Sequence, residues 1–116
     1  METDACCCNA EISRADIPIA CDLDAISAGD RPRYNELRKM LAASVIGKRE
    51  LPDGVAVQIS TERMPLAQLA EWISFERKCC PFFEFRIEVA PASGPVWLSL
   101  TGRASVKEFL AHAFAK

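Results

Sequence analysis

Phe83, Phe85, Ile87 and Val89 alternate with Glu84, Arg86 and Glu88, and Val96, Leu98 and Leu100 alternate with Trp97, Ser99 and Thr101. Between the two runs lies Pro91-Ala92-Ser93-Gly94-Pro95, a turn-forming segment. A period of two puts one apolar and one polar face on each run, so the pair reads as two half-buried strands turned back on each other. Such a sheet must cover its apolar face, and helices packed on it are the simplest cover.

The remaining segments supply those helices and a second hairpin. Gly29-Asp30-Arg31-Pro32 marks a helix start, with Asp30 as N-cap and proline in the first turn. Tyr34, Leu37, Leu41 and Val45 then recur at helical spacing, and the helix is expected to stop near Gly47. Leu51-Pro52-Asp53-Gly54 reads as a hairpin turn in which glycine supplies a positive φ. It joins a strand at 48–51 to one carrying Val55, Val57 and Ile59.

A second helix starts near Pro65, with Leu66, Leu69, Ala70, Ile73 and Cys80 on its apolar stripe. Cys79 then lies about 100° round the axis, beside Trp72 and Phe75, so one thiol faces the core and the other a flank. Pro81 ends this helix, having no N–H to donate. A last helix begins near Ala104 and buries Val106, Phe109, Leu110 and Ala113. Upstream, Ile17, Ile19 and Cys21 mark a short N-terminal strand.

The expected fold is therefore α+β, an antiparallel sheet of two hairpin–helix units plus an N-terminal strand and helix, with the helices packed on the sheet. Residues 1–14 read as a flexible Cys-rich tail and 15–116 as a single domain. Gly54 and Gly94, Thr61 and Thr101, Arg63 and Arg103, and Leu69 and Phe109 each stand 40 positions apart, which suggests a weak internal repeat.

With a net charge of −2 and no basic cluster, the chain lacks the excess of cations that phosphate binding needs. No apolar run approaches the roughly 20 residues that span a bilayer. Met1-Glu2-Thr3-Asp4 lacks the basic and apolar regions of a signal peptide. Neither nucleic acid nor membrane is expected as a partner, and a cytoplasmic location is. Six cysteines are present, clustered as Cys6, Cys7 and Cys8, as Cys79 and Cys80, and as Cys21 alone. Adjacent cysteines do not easily bridge each other, so this clustering suits reduced thiols. The single histidine, His112, makes a mixed Cys/His zinc site improbable.

Cys21, Asp24, Cys79 and Cys80 are the constellation to which chemistry can be assigned. Two thiolates from different segments chelate a soft ion such as Hg(II), Cu(I) or Cd(II). A neighbouring carboxylate adds a weak ligand or a proton carrier. The blander readings make Cys21 and Cys80 small core residues, Asp24 a loop residue and the tail thiols idle. Glu76 reads most simply as a solvated helix residue, or else as a carboxylate that opposes thiol ionisation or accepts a proton. Arg77, Lys78 and Arg86 would favour thiolates if they turned inward. Trp72, Phe82, Phe83 and Phe85 read as core.

Cys21-Asp22-Leu23-Asp24 resembles the Cys-x-Leu-Asp segment of bacterial organomercurial (alkylmercury) lyases, and Cys79-Cys80-Pro81-Phe82-Phe83 resembles their Cys-Cys segment followed by aromatic residues. The segments come in the lyase order, and the resemblance covers residues 15–101. It implies a core of hairpin–helix units, a fold shared with a copper-binding accessory protein of nitrous oxide reduction. It also implies Cys21 and Cys79 as catalytic thiols, Asp24 as the proton carrier and Cys80 as a neighbour of the site. The implied function is mercury-resistance chemistry without a required cofactor. An organomercurial is cleaved, Hg(II) stays as product ligand, and a thiol acceptor or mercuric reductase receives it. The alternative is non-catalytic binding and transfer of mercury or copper(I). In place of the lyases' N-terminal helical region stands the tail with Cys6, Cys7 and Cys8, similar in character to the metal-relay arms of mercuric-ion transporters and mercuric reductase. Glu76-Arg77-x-Cys79-Cys80-Pro81-Phe82 also resembles a motif of small bacterial proteins.

Overall fold

The computed structural model of the chain describes residues 22–103, the side chain of Leu23 excepted. They form a 3₁₀ turn (Leu23–Ala25), α1 (Arg31–Ser44), β1 (Val45–Leu51), β2 (Gly54–Ile59), α2 (Leu66–Cys79), β3 (Glu84–Val89) and β4 (Val96–Thr101). The strands make one sheet in the order β1-β2-β4-β3, every neighbouring pair antiparallel. The α+β architecture with hairpin–helix order is thus the expected one. The tail 1–14, the strand with Ile17 and Ile19, and the helix from Ala104 lie outside the described residues.

Register explains which face is covered. Ile59 pairs with Val96, Val57 with Leu98 and Val55 with Leu100, so the two central strands stack their apolar residues on one face. All six are buried, together with Tyr34, Leu37 and Leu41 of α1 and Leu69 and Trp72 of α2. The same face at the sheet edges is wetter. Lys48 pairs with Val57 on β1, and on β3 Ile87 and Val89 are 36% and 57% exposed. The half-burial expected of β3 holds at Phe85, whose ring meets Trp72 edge-on at 6.0 Å, and fails further along this edge strand. No helix among the described residues is long and apolar enough to cross a membrane.

Three local expectations change for identifiable reasons. Helix α1 stops at Ser44, three residues before Gly47. The buried Ser44 hydroxyl donates to Leu41 O at 2.8 Å, and its carbonyl accepts the Ser60 N–H at 2.7 Å. The β-branched pair Val45-Ile46 then enters a strand directly. Gly47 is a strand residue beside a register shift, where a Cβ would meet Gln58 Oε1 at 3.1 Å.

Gly54 does not have a positive φ; it is glycine because a Cβ would collide with the Leu100 carbonyl of the neighbouring strand. Positive φ occurs instead at Ala92 (56°) and Ser93 (60°), in the turn closed by Gly94 N–H to Pro91 O at 3.0 Å. That turn is longer than the Pro52-Asp53 turn. Val96 of β4 accordingly stands 42 positions after Gly54 of β2, and the Gly54/Gly94 and Thr61/Thr101 matches fall on unlike places.

Asp30 occupies the N-cap position of α1 without capping it. Its carboxylate accepts the Ser27 hydroxyl at 3.1 Å. Across the helix pair, Arg33 of α1 donates two hydrogen bonds, 2.9 and 2.7 Å, to the carboxylate of Glu71 on α2. This forked contact fixes α1 against α2 beside Tyr34.

Candidate metal centre

Pro81 shapes the site. Its ring crowds a preceding residue held in the α conformation, so Cys80 leaves the helix with φ −128° and ψ 72°. The Cys80 N–H still reaches Glu76 O at 2.7 Å. One residue of departure overturns the expected 100° separation of the thiols. Cys79 and Cys80 are both 0% exposed, and their sulfurs lie 3.6 Å apart as two thiols.

Glu76 stands one turn before Cys79, and its carboxylate joins them. One ligand atom from each of Glu76, Cys79 and Cys80 lies within 4.8 Å of the others. From α1, the buried Tyr34 hydroxyl donates to Glu76 Oε1 at 2.7 Å and lies 3.8 Å from Cys79 Sγ. The Tyr34 ring is held edge-on by Phe75 at 6.0 Å. Glu76 is therefore not the solvated helix residue that its charge suggested. The buried side of α2 runs through Leu69, Trp72 and Cys79, whereas Leu66 is 40% exposed.

Burial pushes the Glu76 carboxyl above its ordinary 4.5, against hydrogen bonds from Tyr34 and Cys80 and the charge of Arg38. Burial also pushes the Tyr34 phenol well above its usual range, reinforced by its bond to Glu76. On the rim, the Glu71 carboxyl is held below 4.5, chiefly by its hydrogen bond to Arg33.

Of the residues singled out from the sequence, Cys79 and Cys80 come together. Cys21, Cys6, Cys7 and Cys8 lie outside the described residues. Asp24 sits on the 3₁₀ turn with its side chain 96% exposed, 3.3 Å from Arg31. The adjoining main chain is nevertheless tied to the site, because the Asp22 N–H donates to Cys79 O at 2.7 Å. Arg77, Lys78 and Arg86 are exposed rather than turned inward, and Arg86 pairs with Glu84 at 2.8 Å. Trp72 and Phe82 are core, as expected, and Phe83 and Phe85 pack against it.

Tyr34 was not expected at the site. The usable signal was a tyrosine on an apolar stripe, since a buried phenol needs a partner for its hydroxyl. Two thiols and a carboxylate, shielded from water, make a donor set for a soft or borderline metal ion. Comparison with protein-family models, curated proteins and solved structures finds no match to the chain.

Proposed function

We propose that this protein carries soft-metal thiol chemistry, in which Cys79, with Cys80 beside it and Cys21 as the second catalytic thiol, takes up an organomercurial and cleaves its carbon–mercury bond. The observation that carries this reading is the buried pair of sulfurs 3.6 Å apart beside a main-chain bond from Asp22 to Cys79. Cys21, next in sequence to Asp22, is the second thiol that this reading requires.

The balanced reaction uses two thiols. One mercury–carbon bond and the bond from mercury to its other ligand break, and two mercury–sulfur bonds form. One thiol proton goes to carbon, giving the hydrocarbon, and the other leaves with the displaced ligand. Asp24 is the proton carrier in the lyase-like form of this reading. A thiol acceptor or mercuric reductase would then receive the Hg(II). Reduced, buried thiols fit a reducing compartment, and the cytoplasm is the proposed location.

The exposure of Asp24 favours a second reading, capture and transfer of mercury or copper(I) without bond cleavage. Phenylmercury offered with excess small thiol separates the two. Benzene formation that collapses in Asp24→Asn and Cys79→Ser supports cleavage. Stoichiometric mercury retention without benzene supports capture. No retention against the competing thiol contradicts both.

A further inference from the structure

The spacing of the two sulfurs restricts the geometry of what they hold together. With bonds of the zinc–sulfur length, about 2.3 Å, a tetrahedral ion spaces two sulfurs roughly 3.8 Å apart and a linear one about 4.6 Å. The observed 3.6 Å is far nearer the tetrahedral value than the linear one. Both side chains are fully enclosed, so opening this bite to the linear value needs a change of rotamer within packed surroundings. The pair alone therefore suits an ion that takes further ligands.

A further ligand is on the page. Glu76 approaches both sulfurs, and its Oε1 is already held by the Tyr34 hydroxyl at 2.7 Å. A carboxylate fixed through one oxygen presents the other in a set direction, the usual arrangement around a ligating carboxylate. Exposed acidic side chains seldom amount to a site; this one is half-buried and has a carboxylate oxygen within 4.8 Å of two buried thiols.

We propose that Glu76 is the third ligand of the Cys79–Cys80 site, completing a two-sulfur, one-oxygen set for a four-coordinate divalent d¹⁰ cation, with Tyr34 as the positioning residue for its carboxylate. The inference rests on the thiol pair being a metal site, as proposed above, and adds the ligand that sets coordination number. The fourth position would fall to water or a substrate thiol. Such a site prefers Cd(II), Zn(II) or three- to four-coordinate Hg(II) over linear Cu(I).

Cadmium titration of the full chain, with Cys6, Cys7 and Cys8 changed to serine, tests it. Sulfur-to-cadmium charge-transfer absorption counts the thiolates, competition with a chromophoric chelator gives affinity, and the ¹¹³Cd chemical shift reports the ligand set. Tyr34→Phe should weaken cadmium roughly 10- to 100-fold with the charge-transfer band retained. Glu76→Gln should weaken it further and move the ¹¹³Cd signal, and Glu76→Asp should do both to a lesser degree. Cadmium bound by Glu76→Gln with unchanged affinity and shift would overturn the carboxylate ligand and leave the thiol site standing. Absence of the charge-transfer band in the parent chain would remove the thiol site, and this inference with it.

Discussion

Tyr34 on α1 and Glu76 on α2 meet through a 2.7 Å hydrogen bond, the phenol donating to a carboxylate that is largely out of water. The bond joins two helices and sits over the Cys79 sulfur, so it links the packing of the domain to the geometry of the thiol pair. Removing it leaves a shielded carboxylate short of a donor. Tyr34→Phe should therefore destabilise the metal-free protein by about 1–3 kcal/mol. Urea denaturation checks this as a lower midpoint at unchanged slope.

The pH dependence of the metal-free protein should show two opposed carboxyls. Glu76, faced by Tyr34 and Arg38 of α1 and by Cys79 and Cys80, has its folded-state value raised above 4.5 by burial. Below 4.5 it is protonated in both states. As pH rises from there through the folded value, the native state holds a proton that the unfolded chain releases, and stability falls. Glu71 is lowered by Arg33, so its contribution is complete above 4.5 and is lost as pH falls through the folded value. Glu76→Gln should flatten the slope above 4.5 alone, and Glu71→Gln the slope below it, in urea midpoints measured across the range.

Cys79 and Cys80 have no exposed surface. In a variant with Cys6, Cys7, Cys8 and Cys21 changed to serine, both remaining thiols should react with an aromatic disulfide reagent far more slowly than in denaturant, at the rate of the local opening that would also admit a mercurial. Rapid reaction in the folded state would mean that the pair is not enclosed as described.

The β3–β4 turn places Ala92 and Ser93 at positive φ, which costs a non-glycine residue about 1–2 kcal/mol. Replacing Ala92-Ser93 by Asn-Gly, the pair that such turns favour, should stabilise the domain by about 1 kcal/mol. Gly54→Ala, which drives a methyl group into the Leu100 carbonyl, should destabilise it by about 1–3 kcal/mol. Thermal unfolding of both variants checks the pair of signs.

Much of this fold was legible from periodicity alone. The alternation in 83–89 and 96–101 specified an antiparallel pair, and the stripe Tyr34, Leu37, Leu41 specified a helix on it. What periodicity could not reveal came from contacts distant in sequence. Gly54 answers to Leu100, and the end of α1 answers to Ser60. At the site, the thiol pair was readable as a motif. Its convergence depended on Pro81 turning Cys80 out of the helix, and the role of Glu76 depended on Tyr34, 42 residues earlier. A helical wheel treats Cys79 and Cys80 as diverging and Glu76 as solvated, because it contains neither the proline's effect on its neighbour nor a second helix.

The central claim is that Cys79 and Cys80 together hold a soft metal ion. Gel filtration of the full chain loaded with one equivalent of Hg(II), in excess monothiol and with Cys6, Cys7 and Cys8 changed to serine, tests it most directly. Mercury should elute with the folded protein, and should be lost when Cys79 and Cys80 are both replaced by serine in a chain that still folds. Retention as strong without those two sulfurs, or no retention with them, would contradict the claim.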